Sequence, residues 1–142
     1  MPSGKTHDKI TFVVLPIVVL TAYLIFNSFY LTLILSLSYL FSALMFNGDL
    51  DTNSKPYNRW YVFKMIWIPY QLMFGHRSIF THGIIIGTII RIIYIGIIPF
   101  LYFNYYHNIN ILTDVISIKD LIVILIGLEL GSLSHSVPDW LT

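Results

Sequence analysis

The chain contains no cysteine, which excludes disulfides and thiolate metal sites, so any metal must be held by nitrogen and oxygen ligands. Charge is also scarce: 11% of the 142 residues are Asp, Glu, Lys or Arg, against about 25% in ordinary soluble domains. Only one glutamate is present, Glu129. The net charge of +1 and the absence of a basic run give no reason to expect nucleic acid as a partner. With 56% hydrophobic residues and a mean hydropathy of +0.76, a chain this short has too little interior to hide its apolar surface from water. Lipid is the solvent that fits. Length allows a single domain, residues 1–142. Lys5 and Lys9 before an apolar run match the first half of a signal peptide, but no small-residue cleavage site follows.

From Ile10 to Gly48 there is no charged residue, enough chain for two spans at about 20 residues each. Asn27 and Ser28 mark the hairpin, predicting helices near 10–26 and 30–47. A polar stretch, G-D-L-D-T-N-S-K-P-Y-N, runs from Gly48 to Asn58. The aromatic segment from Trp60 to Phe74 is too short to span and suits the headgroup layer. Residues 83–103 read as a third span despite many isoleucines, because a lone membrane segment must satisfy its backbone internally. A fourth helix follows, with Asp120 as its expected cap, to about Asp139. The predicted fold is all-α: a multi-pass membrane bundle of about four transmembrane helices, with an interfacial helix between helices two and three.

Four alternating crossings return the chain to its starting side after helices two and four. His7, Asp8, Asp49, Asp51, His76, His82, His135 and Asp139 then share one face, while His107, Asp114 and Asp120 lie on the other. Chance would scatter them. Such a set of imidazoles and carboxylates suits zinc, manganese or iron. Lys5, Lys9, Lys55, Arg59, Lys64 and Arg77 lie on the same side and only Lys119 on the other, so the positive-inside rule turns the cluster toward the cytoplasm. The expected location is the cell (inner or plasma) membrane, with the N-terminus cytoplasmic.

Taken singly, each motif has an ordinary reading. D-L-D at Asp49 and Asp51 is either a solvated helix end or a pair of carboxylates awaiting a cation. In H-R-S-I-F-T-H, a six-residue spacing turns an ideal helix by about 600°. His76 must therefore sit in a loop and His82 at a helix start if both bind one ion. Arg77 between them can grip a phosphate or carboxylate bidentately. His135 and Asp139, four apart, share a helix face; either both bind metal or Asp139 receives the second ring N–H of His135. Arg91 and Glu129 lie deep in their spans and predict an ion pair, and Gly127 and Gly131 predict close helix packing.

The ordered set of T-H at His7, D-L-D-x-x-S to Ser54, Arg59-Trp60, I-W-x-P-Y to Tyr70, H-R-S-x-x-x-H-G to Gly83 and G-T-x-x-R to Arg91 resembles a bacterial family of uncharacterised metal-binding membrane proteins. More distantly it is similar to the LexA-regulated, YdjM-type membrane-bound metal-dependent hydrolases, grouped with zinc-dependent phospholipase C. The resemblance implies ligation by His7, Asp49, Asp51, His76, His82, His135 and Asp139, with Ser54, Arg59 and Arg77 in support. Where the hydrolases carry Pro before D-x-D and Gly after H-R, Gly48 and Ser78 stand here.

The favoured expectation is a metal-dependent hydrolase acting on a phosphoester or lipid-like substrate at the cytoplasmic leaflet. Asp49, Asp51 and Arg77 are its catalytic candidates, with membrane lipid as a partner. Seven candidate ligands exceed the three or four that one zinc takes, so one or two divalent ions are expected, two being favoured. The alternative is a non-catalytic scaffold or sensor with a structural metal. Transport ranks last, since its ligands belong near the midplane.

Overall fold

The computed structural model describes residues 4–76, 78–106 and 116–141; Arg77, His107 and Asp114 lie outside them. The described residues form seven α-helices and two 3-10 turns. These are α1 (Gly4–Phe26), α2 (Phe29–Met45), a 3-10 turn at Gly48–Asp51, α3 (Lys55–Asn58), a 3-10 turn at Tyr61–Ile66, α4 (Trp67–Met73), α5 (Ile79–His82), α6 (Ile86–Tyr106) and α7 (Ile118–Leu141). Three stretches are long and apolar enough to cross a membrane: α1, α2 together with the turn after it, and α7. A shorter apolar helix, Ile86–Tyr102, lies within α6. The expected all-α membrane bundle is the fold observed.

The hairpin falls at the expected place. Asn27 takes a left-handed φ of 44° and Ser28 caps α2, its hydroxyl accepting from the Leu31 amide. Two boundaries differ. Helix α1 starts at Gly4 rather than near Ile10, because nothing in residues 4–9 breaks a helix and Thr11 bonds back to the His7 carbonyl at 3.0 Å. His7 and Asp8 thus lie within the first helix rather than before it. In α7 the cap is Ser117, which accepts the Asp120 amide at 3.1 Å and donates to its carboxylate at 2.8 Å, so Asp120 sits in the first turn.

Apolar burial does not drive helix association inside lipid, so close approach and buried hydrogen bonds must. A Cβ on Gly131 would lie 2.4 Å from the Tyr39 carbonyl oxygen, and one on Gly127 2.7 Å from that of Leu35. Two glycines one turn apart therefore let α7 lie against α2, and the Ser42 hydroxyl crosses to the Leu128 carbonyl. Outward side chains such as Val13, Leu24, Leu33 and Ile93 are exposed, as lipid-facing residues should be.

The aromatic segment does more than lie in the headgroup layer. Its outer residues Tyr61, Val62 and Leu72 are exposed, yet Trp67 and Tyr70 are fully buried in a cluster with Phe46, Leu50 and Tyr57. The Trp60 indole donates to the Met45 carbonyl at 2.8 Å and Arg59 to the Leu44 carbonyl at 2.9 Å, satisfying carbonyls at the open end of α2. This plug wedges the Gly48–Asp51 turn against α5.

The predicted Arg91–Glu129 ion pair is not formed. Arg91, fully buried, donates to the Thr81 carbonyl at 2.7 Å, Ser132 Oγ at 2.8 Å and Thr88 Oγ1 at 3.1 Å, and its guanidinium lies over the Phe46 ring. The Glu129 carboxylate accepts the Ile85 amide at 2.9 Å. Neutral oxygens within reach took both terminal nitrogens of the guanidinium, and a strained turn claimed the carboxylate: Ile85, although β-branched, has a φ of 63°.

A candidate metal centre at one end of the bundle

Five separate segments meet at the site. His7 comes from the first turns of α1, and Asp49 and Asp51 from the turn after α2. His76 comes from the loop after α4, His82 from the end of α5, and His135 and Asp139 from the last turns of α7. Asn47 shapes the D-L-D turn, its side chain accepting the Asp49 amide at 3.1 Å, and Ser54 closes it by donating to the Asp49 carbonyl at 2.7 Å. Gly48 leaves no room for a side chain: a Cβ there would come within 2.8 Å of the His82 ring. His82 ends α5 instead of opening the third span, because three further residues turn before α6 begins.

The fold draws His7, Asp49, His82, His135 and Asp139 into one cluster, with Asp51 behind His82 and His76 at the edge. His7 Nε2 lies 3.3 Å from Asp139 Oδ1, and His135 Nε2 lies 3.0 Å from Asp49 Oδ2 and 4.0 Å from Asp139 Oδ2. His82 Nε2 lies 3.4 Å from Asp49 Oδ1. The His7 and His135 rings are 4.1 Å apart. Two sets of three residues each offer ligand atoms within 4.8 Å of one another: His7, His135 and Asp139, and Asp49, His82 and Asp139. Asp139 belongs to both.

The hydrogen bonding leaves these groups suited to a cation. His7 Nδ1, His82 Nε2, both ring nitrogens of His135 and both oxygens of Asp139 are buried without a hydrogen-bond partner, despite the short separations. Buried polar atoms are rarely left so, and a buried carboxylate is the costliest to leave. A divalent ion coordinated by nitrogen and oxygen satisfies such donors, so the residues fit the group. The outer side of His82 agrees: its Nδ1 lies 2.9 Å from Thr81 Oγ1 and 3.6 Å from Asp51 Oδ2, leaving Nε2 to face the cluster. Of the two readings of the α7 pair, the ring N–H of His135 does not hydrogen-bond to Asp139.

His76 stands apart. It is half exposed and belongs to neither set of three, but its Nδ1 lies 2.9 Å from Asp51 Oδ1, whose carboxylate is fully buried. Asp8 points away from the cluster and pairs with Lys55 and, at 2.7 Å, with Arg59. The supporting roles of Asn47, Thr81 and Arg91 escaped the sequence reading. Asn directly before Gly-Asp is a legible turn cap; the path from Arg91 through the Thr81 carbonyl to His82 needed the fold. Beneath the site, burial pushes the Tyr70 hydroxyl up to about 12, beside the Arg91 guanidinium.

Helices built to cross a membrane, with a buried imidazole–carboxylate cluster at one end, define an integral membrane protein with a metal-type site. The chain belongs to the family described as uncharacterized metal-binding protein (DUF2227), which matches residues 2–142. An uncharacterized protein from Aquifex aeolicus (strain VF5) is 37% identical over 60 residues, 42% of this chain and 42% of that one. The match thus spans less than half of that relative. No solved structure matches the chain.

Proposed function

We propose that this protein is a metal-dependent hydrolase of phosphoesters, working at the cytoplasmic face of the membrane with two divalent ions. The observation that carries the reading is the shared carboxylate: Asp139 completes both sets of three ligands. His7 and His135 would hold one ion, and Asp49 and His82 the other. When bound, such ions supply Lewis-acid polarisation of a phosphoryl oxygen and make water acidic enough to attack near neutral pH. The chain's own residues do the rest. Asp51 orients His82 and His76. Asp49, whose carboxylate keeps 20% of its surface exposed, is the acid with an open edge toward a substrate. Arg77 would neutralise phosphate charge. Zinc suits the imidazole-rich set, and manganese or iron the carboxylates. The excess of basic residues near the site argues for its cytoplasmic side.

A second reading has one specific support. The side chains of His7, His135 and Asp139 are only 5%, 2% and 4% exposed, a closed environment of the kind structural metals have. In that reading the ion ties α1 to α7 and no turnover occurs.

Elemental analysis of detergent-purified protein, followed by turnover of a chromogenic phosphodiester with the metal-loaded protein, separates the readings. Two ions and hydrolysis lost in Asp49→Asn support the enzyme. One ion with no turnover supports the structural site. No metal at all refutes both.

A further inference from the structure

A hollow of about 260 Å³ is lined by Ser78, Ile79, His82, Gly83 and Trp140, so a candidate ligand forms part of its wall. Two residues further along the chain, a second hollow of about 310 Å³ begins. Ile85, Thr88, Ile89 and Ile92 form one wall and Leu125 and Glu129 the other. Both lie in the gap between the α5–α6 segment and α7. Leu125 precedes Trp140 by fifteen residues, about 22 Å of helix, so the two hollows taken together span more than the depth of one leaflet, about 15 Å.

The polarity of the gap changes with depth. At the site end are His82, Ser78 and the indole of Trp140; at the deep end isoleucine and leucine. Glu129 marks the boundary, six residues before His135 and so about 9 Å below it. Its carboxylate holds the Ile85 amide, keeping that residue in its left-handed turn between the two hollows. An anion seated at His82 is kept above Glu129 by charge, while an alkyl chain passes below at no electrostatic cost. A larger cavity of about 380 Å³ among α1, α2 and α7 is lined by residues such as Ile17, Ala22 and Leu35, and no cluster residue reaches it.

We infer that the α6–α7 cleft admits a bilayer lipid from the side, its phosphate headgroup against His82 and Trp140 and one acyl chain between Ile89 and Leu125. This rests on the phosphoester reading above and narrows its substrate to a membrane lipid over a soluble phosphate ester. In the bilayer, the molecules adjoining the deep hollow are lipids, and the neighbouring hollow is walled by a candidate ligand of the metal site.

The test uses the full chain in nanodiscs of phosphatidylglycerol and phosphatidylethanolamine, doped with a phospholipid bearing a diazirine in one acyl chain. After photolysis, labelled residues are mapped by mass spectrometry and metal is measured on the same sample. Labelling is expected to concentrate on Ile89, Ile92 and Leu125 over the lipid face of α1 at Val13 and Leu20. Filling a preformed concave site by Ile89→Trp or Leu125→Trp should cut that labelling about tenfold, with metal content retained. Leu24→Trp, on the outer face of α1, should leave it unchanged. Even labelling around the bundle, labelling concentrated in the α1–α2–α7 cavity, or labelling indifferent to both cleft variants overturns the inference. Metal-loaded protein with even labelling sinks the cleft alone. Metal-free wild type sinks the metal-dependent reading and the headgroup half of the inference with it.

Discussion

Arg91 distinguishes the observed packing from the ion pair that its depth first implies. The perturbation is Arg91→Met, which keeps the apolar stem and deletes the guanidinium. Three hydrogen bonds are lost, to Thr81, Thr88 and Ser132. Hydrogen bonds from charged donors contribute roughly 1.5–3 kcal/mol each in soluble proteins, but interhelical bonds in membranes average about 0.6 kcal/mol. Ser132 and Thr88 can bond back to their own helices, whereas the Thr81 carbonyl has no such recourse. A cost of about 3 kcal/mol follows from these values. Glu129→Gln should behave quite differently. Its amide oxygen can still accept the Ile85 amide, so less than about 1 kcal/mol is expected. Breaking a true buried ion pair from either side would cost about 3–5 kcal/mol. Unfolding in mixed micelles with a double-mutant cycle reads both quantities. Arg91 and Ser132 should couple by about 1 kcal/mol, and Arg91 and Glu129 by less than about 0.5 kcal/mol. If Glu129→Gln proves as damaging as Arg91→Met, and the double variant no worse than either, the two charges are paired and the hydrogen bonds to Thr81, Thr88 and Ser132 are secondary. Because Arg91 also holds the Thr81–His82 segment, its loss should weaken metal retention, a change that Glu129→Gln should not produce.

Gly131→Leu drives a side chain into the Tyr39 carbonyl and should cost more than about 3 kcal/mol or prevent folding, while Gly96→Ala, with nothing within 4 Å of the added methyl, should be neutral or gain up to about 1 kcal/mol; micellar unfolding checks both. Asp139→Asn removes the carboxylate common to both ligand sets, so bound metal should fall below that of either His7→Ala or His82→Ala by elemental analysis. Tyr70 titrates above its ordinary value of 10, at about 12. Its contribution to stability is therefore complete below pH 10 and lost as pH rises through 12, so Tyr70→Phe should flatten the alkaline end of the stability profile measured in micelles.

The apolar helices were legible because they follow from counting, although three of the described helices, rather than four, are long and apolar enough to cross. A stretch without charge from Ile10 to Gly48 has little choice but to cross twice, and alternation then decides which histidines meet. Local polar detail was less legible. Asp120 and Ser117 are both good caps, and only the helix start separates them. The length of α1 was underestimated because hydropathy marks where lipid begins, while the helix continues into the polar residues that carry His7. Arg91 and Glu129 looked like partners because charge was considered and backbone oxygens were not; a guanidinium offers five donors, and the nearest good acceptors were neutral. Burial of Trp67 and Tyr70 could not be read from an aromatic segment whose composition suits the interface equally well.

The geometry also fixes what the metal means for the fold. Helix α7 meets α2 through its two glycines, but α5 and the D-L-D turn meet α1 and the end of α7 chiefly across the cluster. Those contacts, between imidazoles and carboxylates that lack proper hydrogen bonds, are poor without a cation. With one they become bonds between segments distant in sequence. Binding free energy is then folding free energy for this end of the molecule, whatever chemistry follows. A ligand present at a hundred times its Kd stabilises by about 2.7 kcal/mol. Chelation should therefore loosen the site end selectively, exposing the α5 and D-L-D amides to hydrogen exchange while the α2–α7 seam stays protected. A uniform loss of protection would place the metal's contribution in the whole bundle; none at all would leave the cluster energetically idle.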